Sequence, residues 1–195
     1  MQATRKVLVK KGNAASVSTI DICAAAKITR PTLYSYFRGK RELLMAVHGA
    51  AMERDLKPYI EKAASIGDPV ERLTYMVRTY TKEIICVHPE LRVLIHDTLT
   101  VKDKYFRDVK TEWKKHYFLL RDTIGQIQSE GRISPTIDPS LTALFLLGML
   151  TWTTYWFDFD HKSGIDKVAN LAEQLVFNAL GLKNQTSKPD HSAGF

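Results

Sequence analysis

Every long apolar stripe in this sequence repeats with the helical period, and no segment alternates convincingly with the period of a strand. Leu73, Met76, Val77, Tyr80, Ile84 and Val87 follow i, i+3, i+4 spacing, and so do Phe106, Val109, Trp113, Tyr117, Leu120, Ile124 and Ile127. The same spacing in the last helix puts Ile165, Val168, Leu171, Leu175, Val176 and Ala179 inward. The pattern dictates an all-α fold and excludes classes built on sheets. Caps supply the punctuation. Gly12-Asn13 stops the first helix. Ser18 is an N-cap with Asp21 in capping-box position. Thr29 caps a helix whose first turn holds Pro31, and Asp68-Pro69 and Asp138-Pro139 repeat that start. About nine helices result, near 3–11, 18–26, 29–38, 40–57 and beyond with a kink at Pro58, 68–88, 90–98, 101–130, 138–157 and 164–180. The polar tail 183–195 is expected to be disordered.

The run from Ser140 to Phe157 holds no charged residue, long enough to raise a membrane span. Its hydroxyls (Ser140, Thr142, Thr151, Thr153, Thr154) and its acidic flanks (Asp138, Asp158, Asp160) fit a helix buried all round better. The two cysteines, Cys23 and Cys86, fall in different helices and suggest no disulfide framework. With no apolar signal core at the N-terminus, a reducing, cytoplasmic location is expected.

The net charge is +7, and its distribution is informative. Residues 1–50 carry nine Lys/Arg against two acids, while the remaining 145 residues hold 19 of each sign. All the excess therefore lies in one quarter of the chain, the footprint of a polyanion binder. A solvated basic face without a partner is the bland alternative.

The basic quarter contains "STIDICAAAKITRPTLYSYF", two short helices joined by a tight turn: a helix-turn-helix. Ala24, Ala25 and Ala26 supply the small residues such a crossing needs. The second helix can then enter a major groove with Thr29, Arg30, Pro31 and Thr32 at base edges. Arg30 matches guanine O6 and N7, and Thr32 and the Pro31 ring match a thymine methyl. Tyr34, Tyr36 and Lys40 would follow the phosphates. Ser18, Thr19, Lys27 and Ser35 complete the candidate DNA-binding set. Packing remains the rival role for Tyr34 and Tyr36, and a solvated charge for Arg30.

The stretch "TIDICAAAKITRPTLYSYFRGKRELLMAV" resembles the DNA-binding domain of the tetracycline-repressor (TetR) family. The matches are Ile22, Ile28-Thr29, Thr32-Leu33-Tyr34, Tyr36-Phe37, Lys40 and Leu43. The resemblance implies a DNA-binding domain over 1–46 and an effector-binding and dimerisation domain over 47–182. It also implies a homodimer on a near-palindromic double-stranded operator, acting as a repressor. Three departures stand out. Lys27 takes the turn position that usually carries Gly, and Cys23 replaces a usual Ala. Met1 falls inside the expected first helix, so a basic minor-groove arm is not seen.

Dimerisation is expected through the last two helices, which would form a four-helix bundle across a two-fold axis. That accounts for a helix apolar on every side. The effector would lie among Met52, Leu56, Tyr59, Tyr80, Ile84, Leu91, Ile95, Trp113, Tyr117, Leu120 and Leu147, each of which also reads as plain core. No carboxylate or arginine cluster converges there, so a small, mainly apolar effector is expected. "GMLTWTTYWFDFDHKSG" further resembles a branch regulating fatty-acid and steroid breakdown, which implies an acyl-CoA-like ligand. Lys104, Arg107, Lys110 and Lys114 would then hold phosphates or simply form a solvated face.

An enzyme is not expected. No Ser-His-Asp order, phosphate-cradling glycine loop or HExxH occurs, and no cofactor is implied. The six histidines are scattered. "DFDH" (Asp158 to His161) reads as a helix-end cap rather than a metal site. The remaining alternative is an adaptor or ligand-binding protein of the same fold that does not bind DNA.

Overall fold

A computed structural model describes residues 1–12, 14–85, 107–157 and 164–182, the side chains of 107–109 excepted. All regular structure among them is helical. The elements are α1 (Gln2–Lys11), α2 (Thr19–Ala26), α3 (Arg30–Tyr36), α4 (Lys40–Ala51), α5 (Lys57–Ala64), α6 (Pro69–Thr79), α7 (Arg107–Ser129), α8 (Pro139–Trp156) and α9 (Ile165–Leu180). A π-turn over Met52–Leu56 joins α4 to α5, and another over Tyr80–Ile85 extends α6. The described residues thus form eight continuous rods. The expected helix over 90–98 lies outside them, as do Leu91, Ile95, Lys104 and the Asp158–His161 cluster.

The caps act as the sequence dictates. Gly12 ends α1 with φ 74°, a left-handed conformation that glycine adopts without a Cβ penalty. Asp68 and Asp138 each accept two backbone N–H bonds at the starts of α6 and α8. Where a kink is expected at Pro58, the structure has a π-turn just before it, over Met52–Leu56. Proline has no N–H to give, and the Lys57 amide reaches Met52 O, five residues back.

Two hydrophobic cores result. The smaller is built from α1–α4 around Leu8, Ile22, Leu33 and Leu43. The larger gathers α5–α9 and both π-turns around Leu56, Leu73, Tyr80, Ile124, Val176 and Phe177. The rod that begins as α4 belongs to both. Leu43 and Val47 sit in the first core, Met52 and Leu56 in the second. Each fully buried leucine is worth about 1.5–3 kcal/mol.

The expected register of α9 needs correction. Leu171 and Leu175 are 53% and 47% exposed, and Ala179 is exposed too. The buried stripe is Ala169, Ala172, Glu173, Val176, Phe177 and Leu180. Glu173 lies on this inward face, its buried carboxylate compensated by Arg78 of α6 at 2.5 Å. No helix among the described residues is long and apolar enough to cross a membrane.

Candidate nucleic-acid interface and helical body

The reading surface is assembled from local hydrogen bonds. Ser18 Oγ accepts from the Asp21 amide at 3.1 Å. The Asp21 carboxylate accepts in return from the Ser18 amide (3.1 Å) and hydroxyl (2.8 Å). These bonds, with Lys11 Nζ at 3.3 Å, hold the Asp21 carboxyl below its ordinary pKa. They fix the start of α2 and tie it to α1. α2 ends on Lys27, whose φ of 54° makes it the one non-glycine residue with positive φ among those described. The turn thus has the left-handed geometry that a glycine would serve, held by a lysine at a steric cost of about 1–2 kcal/mol.

Thr29 Oγ1 accepts from the Thr32 amide at 3.3 Å and lies 2.9 Å from Thr32 Oγ1, setting the first turn of α3. Ser35 Oγ donates to the Thr32 carbonyl at 2.8 Å. Leu33 is buried and pins one side of the helix. The other side, with Lys27 and Thr29 before it, presents Arg30, Pro31, Thr32, Tyr34, Ser35 and Tyr36 to solvent. Ser18 and Thr19 sit half-buried beside them. The Arg30 guanidinium lies 5.9 Å from the Tyr34 ring centroid. A hydrogen bond with the Thr19 side chain, then one with Arg30, lowers the Tyr34 hydroxyl pKa. Tyr34 therefore braces α3 against α2, while Tyr36 is 76% exposed.

Lys40 has a job that the sequence did not disclose. Its Nζ donates to the carbonyls of Ala14 (2.9 Å) and Ala15 (3.2 Å), tying the start of α4 to the α1–α2 loop. An ammonium has three donors, so one remains for another acceptor. Glu42 caps the same start by accepting from the Arg38 amide at 2.6 Å.

In the body, Met52, Leu56, Tyr59, Tyr80, Ile84 and Leu120 are buried in the larger core, with Trp113, Tyr117 and Leu147 half-buried against it. Tyr59, Tyr80 and Trp113 converge on His116, at ring centroid distances of 5.2, 4.7 and 6.3 Å. The sequence reading passed over His116, although it stands three residues after Trp113 and four before Leu120, on the same stripe. Tyr59 Oη donates to Met76 O at 3.3 Å and lies 2.9 Å from His116 Nε2. A hydroxyl has one proton, so with Met76 O accepting it Nε2 donates to Tyr59, and burial keeps the ring neutral. Nδ1 is then a buried acceptor with no hydrogen-bond partner. Burial pushes the imidazole pKa down to about 3.

At the far side of the body, α8 buries Ala143, Leu146, Leu150, Thr153 and Thr154. Its other faces leave Phe145 77%, Trp152 62% and Trp156 58% exposed, with Leu144 and Met149 between them. Leu171 and Leu175 of α9 adjoin this surface, and a cavity of about 430 Å³ is open along it.

A helix-turn-helix head with its reading helix exposed, carried on an all-helical body, defines a DNA-binding transcriptional regulator. The chain belongs to the TetR family. Residues 1–47 match the model described as bacterial regulatory proteins, tetR family, and residues 66–180 match tetracyclin repressor-like, C-terminal domain. Among solved structures it is similar to AibR in complex with isovaleryl coenzyme A and operator DNA. That likeness has 23% identity, a TM-score of 0.78, and covers 93% of this chain and 96% of the other. It is similar to the ketosteroid transcriptional regulator KstR2 of Mycobacterium tuberculosis, with 18% identity, TM-score 0.83, and coverage of 94% and 93%. The fatty acid degradation regulator FadR from Bacillus halodurans also matches, at 20% identity, TM-score 0.73, and coverage of 93% and 94%. At these identities the likeness is one of fold. No curated protein matches the sequence.

Proposed function

We propose that this chain is a cytoplasmic, ligand-responsive repressor that binds a near-palindromic operator as a homodimer and is released by a mainly apolar small molecule. The observation that carries the reading is the coincidence of the exposed α3 surface with the quarter of the chain that holds all the excess positive charge. In this reading Arg30 pairs with guanine O6 and N7, and Thr32 and Pro31 meet a thymine methyl. Lys27, Tyr36 and the remaining donor of Lys40 engage phosphates, with Ser18, Thr19, Thr29, Tyr34 and Ser35 framing the helix. The apolar α8–α9 face supports pairing of two chains, since a surface of this kind is seldom left in water. Pairing would place two α3 helices on half-sites about 34–36 Å apart.

The effector would reach the body core around Tyr59, Tyr80, Trp113 and His116. An acyl-CoA-like ligand is supported by the isovaleryl coenzyme A bound to AibR. Such an effector binds best to a spacing of the two heads that cannot match successive grooves. It lowers operator affinity by the ratio of its affinities for the two states. The test is selection of bound sequences from random duplex DNA, repeated with acyl-CoA and steroid ligands. Recovery of a palindrome whose binding one ligand class weakens is the expected result. An adaptor of the same fold would enrich nothing.

A further inference from the structure

Arg30 and Tyr34 stand four residues apart on α3, so their side chains share one face of the helix. Side chains on a helix lean back toward its N-terminus, which carries the Tyr34 ring toward the turn that Arg30 begins. The guanidinium carbon accordingly lies 5.9 Å from the ring centroid, within reach of the electron-rich face. The Tyr34 hydroxyl also shares hydrogen bonds with the Thr19 side chain of α2 and with Arg30. None of the ion pairs among the described residues includes Arg30. What holds this exposed arginine is therefore a tyrosine and not a carboxylate.

That arrangement bears on base reading. A long, exposed arginine has many rotamers and must give most of them up to meet a base edge. A guanidinium already held has less freedom to lose, so more of its contact energy appears as preference for the right base. A carboxylate partner would compete with the base for the same charge; a tyrosine does not. The guanidinium has five N–H donors, so a bond to the Tyr34 oxygen leaves enough for a bidentate pair with guanine O6 and N7. The hold also has a fixed far end. Thr19 opens α2, and the Ser18–Asp21 bonds set that start. Lys11 of α1 reaches the same Asp21 carboxylate. A line of contacts thus runs from a helix cap through Thr19 and Tyr34 to the Arg30 guanidinium. Tyr36, two residues on and 76% exposed against 43% for Tyr34, has no such contact among the described residues.

We propose that Tyr34 is a positioning residue: anchored through Thr19, it holds the Arg30 guanidinium ready for guanine and so sets how sharply one base pair of each half-site is discriminated. Its hydroxyl acts within the protein and not on a phosphate. This role rests on the proposed operator reading, in which Arg30 meets a base.

The test compares two duplexes: the selected operator, and one in which adenine replaces the guanine read by Arg30 in each half-site. That position is the one whose preference Arg30→Ala removes. Wild type should favour the guanine duplex about tenfold or more. Tyr34→Phe should lower that ratio about threefold, and Tyr34→Leu, which loses the ring as well, should lower it further. Tyr34 is exposed enough for both variants to fold. In an Arg30→Ala background Tyr34→Phe should leave the ratio unchanged. Equal loss of affinity for both duplexes, with the ratio kept, makes Tyr34 a structural or phosphate-binding residue and overturns the proposal. An equal drop in the ratio with and without Arg30 overturns it too. A second measurement needs no DNA: NMR relaxation of the Arg30 Nε–H in the free full chain. Restricted motion in wild type that is released in Tyr34→Phe is the expected result, and equal mobility in the two overturns the hold on Arg30. Should wild type bind no duplex, or Arg30→Ala alter no position, the operator reading fails and takes the discrimination role with it. The relaxation result still decides whether Tyr34 holds Arg30.

Discussion

In the head, a small core around Leu8, Ile22, Leu33 and Leu43 is complete by itself, and the surface over it is polar and cationic. In the body, a larger core still leaves Phe145, Trp152 and Trp156 in water. The head leaves single apolar residues such as Ile20 in water, whereas the body leaves a run of large ones along α8 and α9. What differs is where recognition is written. The head carries it on exposed side chains set by caps. The body carries it on buried or half-buried side chains of the same kinds that hold the fold together.

The strongest way to break this comparison is to make the body's apolar face charged. Phe145→Glu with Trp152→Glu should turn a dimer into a monomer in sedimentation and lower operator affinity about 100-fold or more, through loss of paired half-sites. A monomeric wild type would remove the contrast. In the head, Arg30→Ala should cost about 1–3 kcal/mol of operator affinity and relax the preference at one base pair of each half-site. An unchanged preference in selected sequences would make Arg30 a solvated charge.

Acid should find the body's weak point. Burial depresses His116 to about 3 and His48 to about 4, against 6.5 in the unfolded chain. Between those limits the unfolded state binds more protons, so stability falls as pH falls from about 6.5. Each group contributes a slope of up to about 1.4 kcal/mol per pH unit. Denaturant titrations across pH 4–7 check this. His116→Gln should flatten the slope, and an unaltered slope would assign the acid sensitivity elsewhere.

Two smaller effects sharpen the head. Lys27→Gly should raise stability by about 1 kcal/mol, because glycine takes φ 54° without strain. Unchanged thermal stability would show that Lys27 bears no strain. Lys40→Ala should flatten the salt dependence of operator binding by about one unit of slope per chain if its third donor reaches a phosphate. A lower Tm with an unaltered slope would restrict Lys40 to its bonds with Ala14 and Ala15.

The head was legible because its determinants are local. Ser18 with Asp21, Thr29 with Pro31, and Gly12 each fix backbone within four residues, and each does so in the structure. The lysine at a turn position that usually takes glycine was visible too, but not that the turn keeps its left-handed geometry at Lys27. The body was less legible because its determinants are distant in sequence. Glu173 sits on the inward face with its carboxylate met by Arg78, far back in the chain, a pairing no local pattern shows. The π-turn at Met52–Leu56 leaves one mark, Pro58, and the turn at Tyr80–Ile85 leaves none. His116 was within reach, since its spacing from Trp113 and Leu120 is helical. Its partner Tyr59 was not, because that pairing exists only once α5 and α7 pack together.

The helix that starts at Lys40 and runs without a break into the body has a practical corollary. There is no linker to cut between the two units near residue 47. A truncation there would strip Leu43 and Val47 from one core or expose a ragged helix end beside the other. Anyone isolating the body for ligand screening should therefore keep α4 whole, and proteases should nick this molecule elsewhere first.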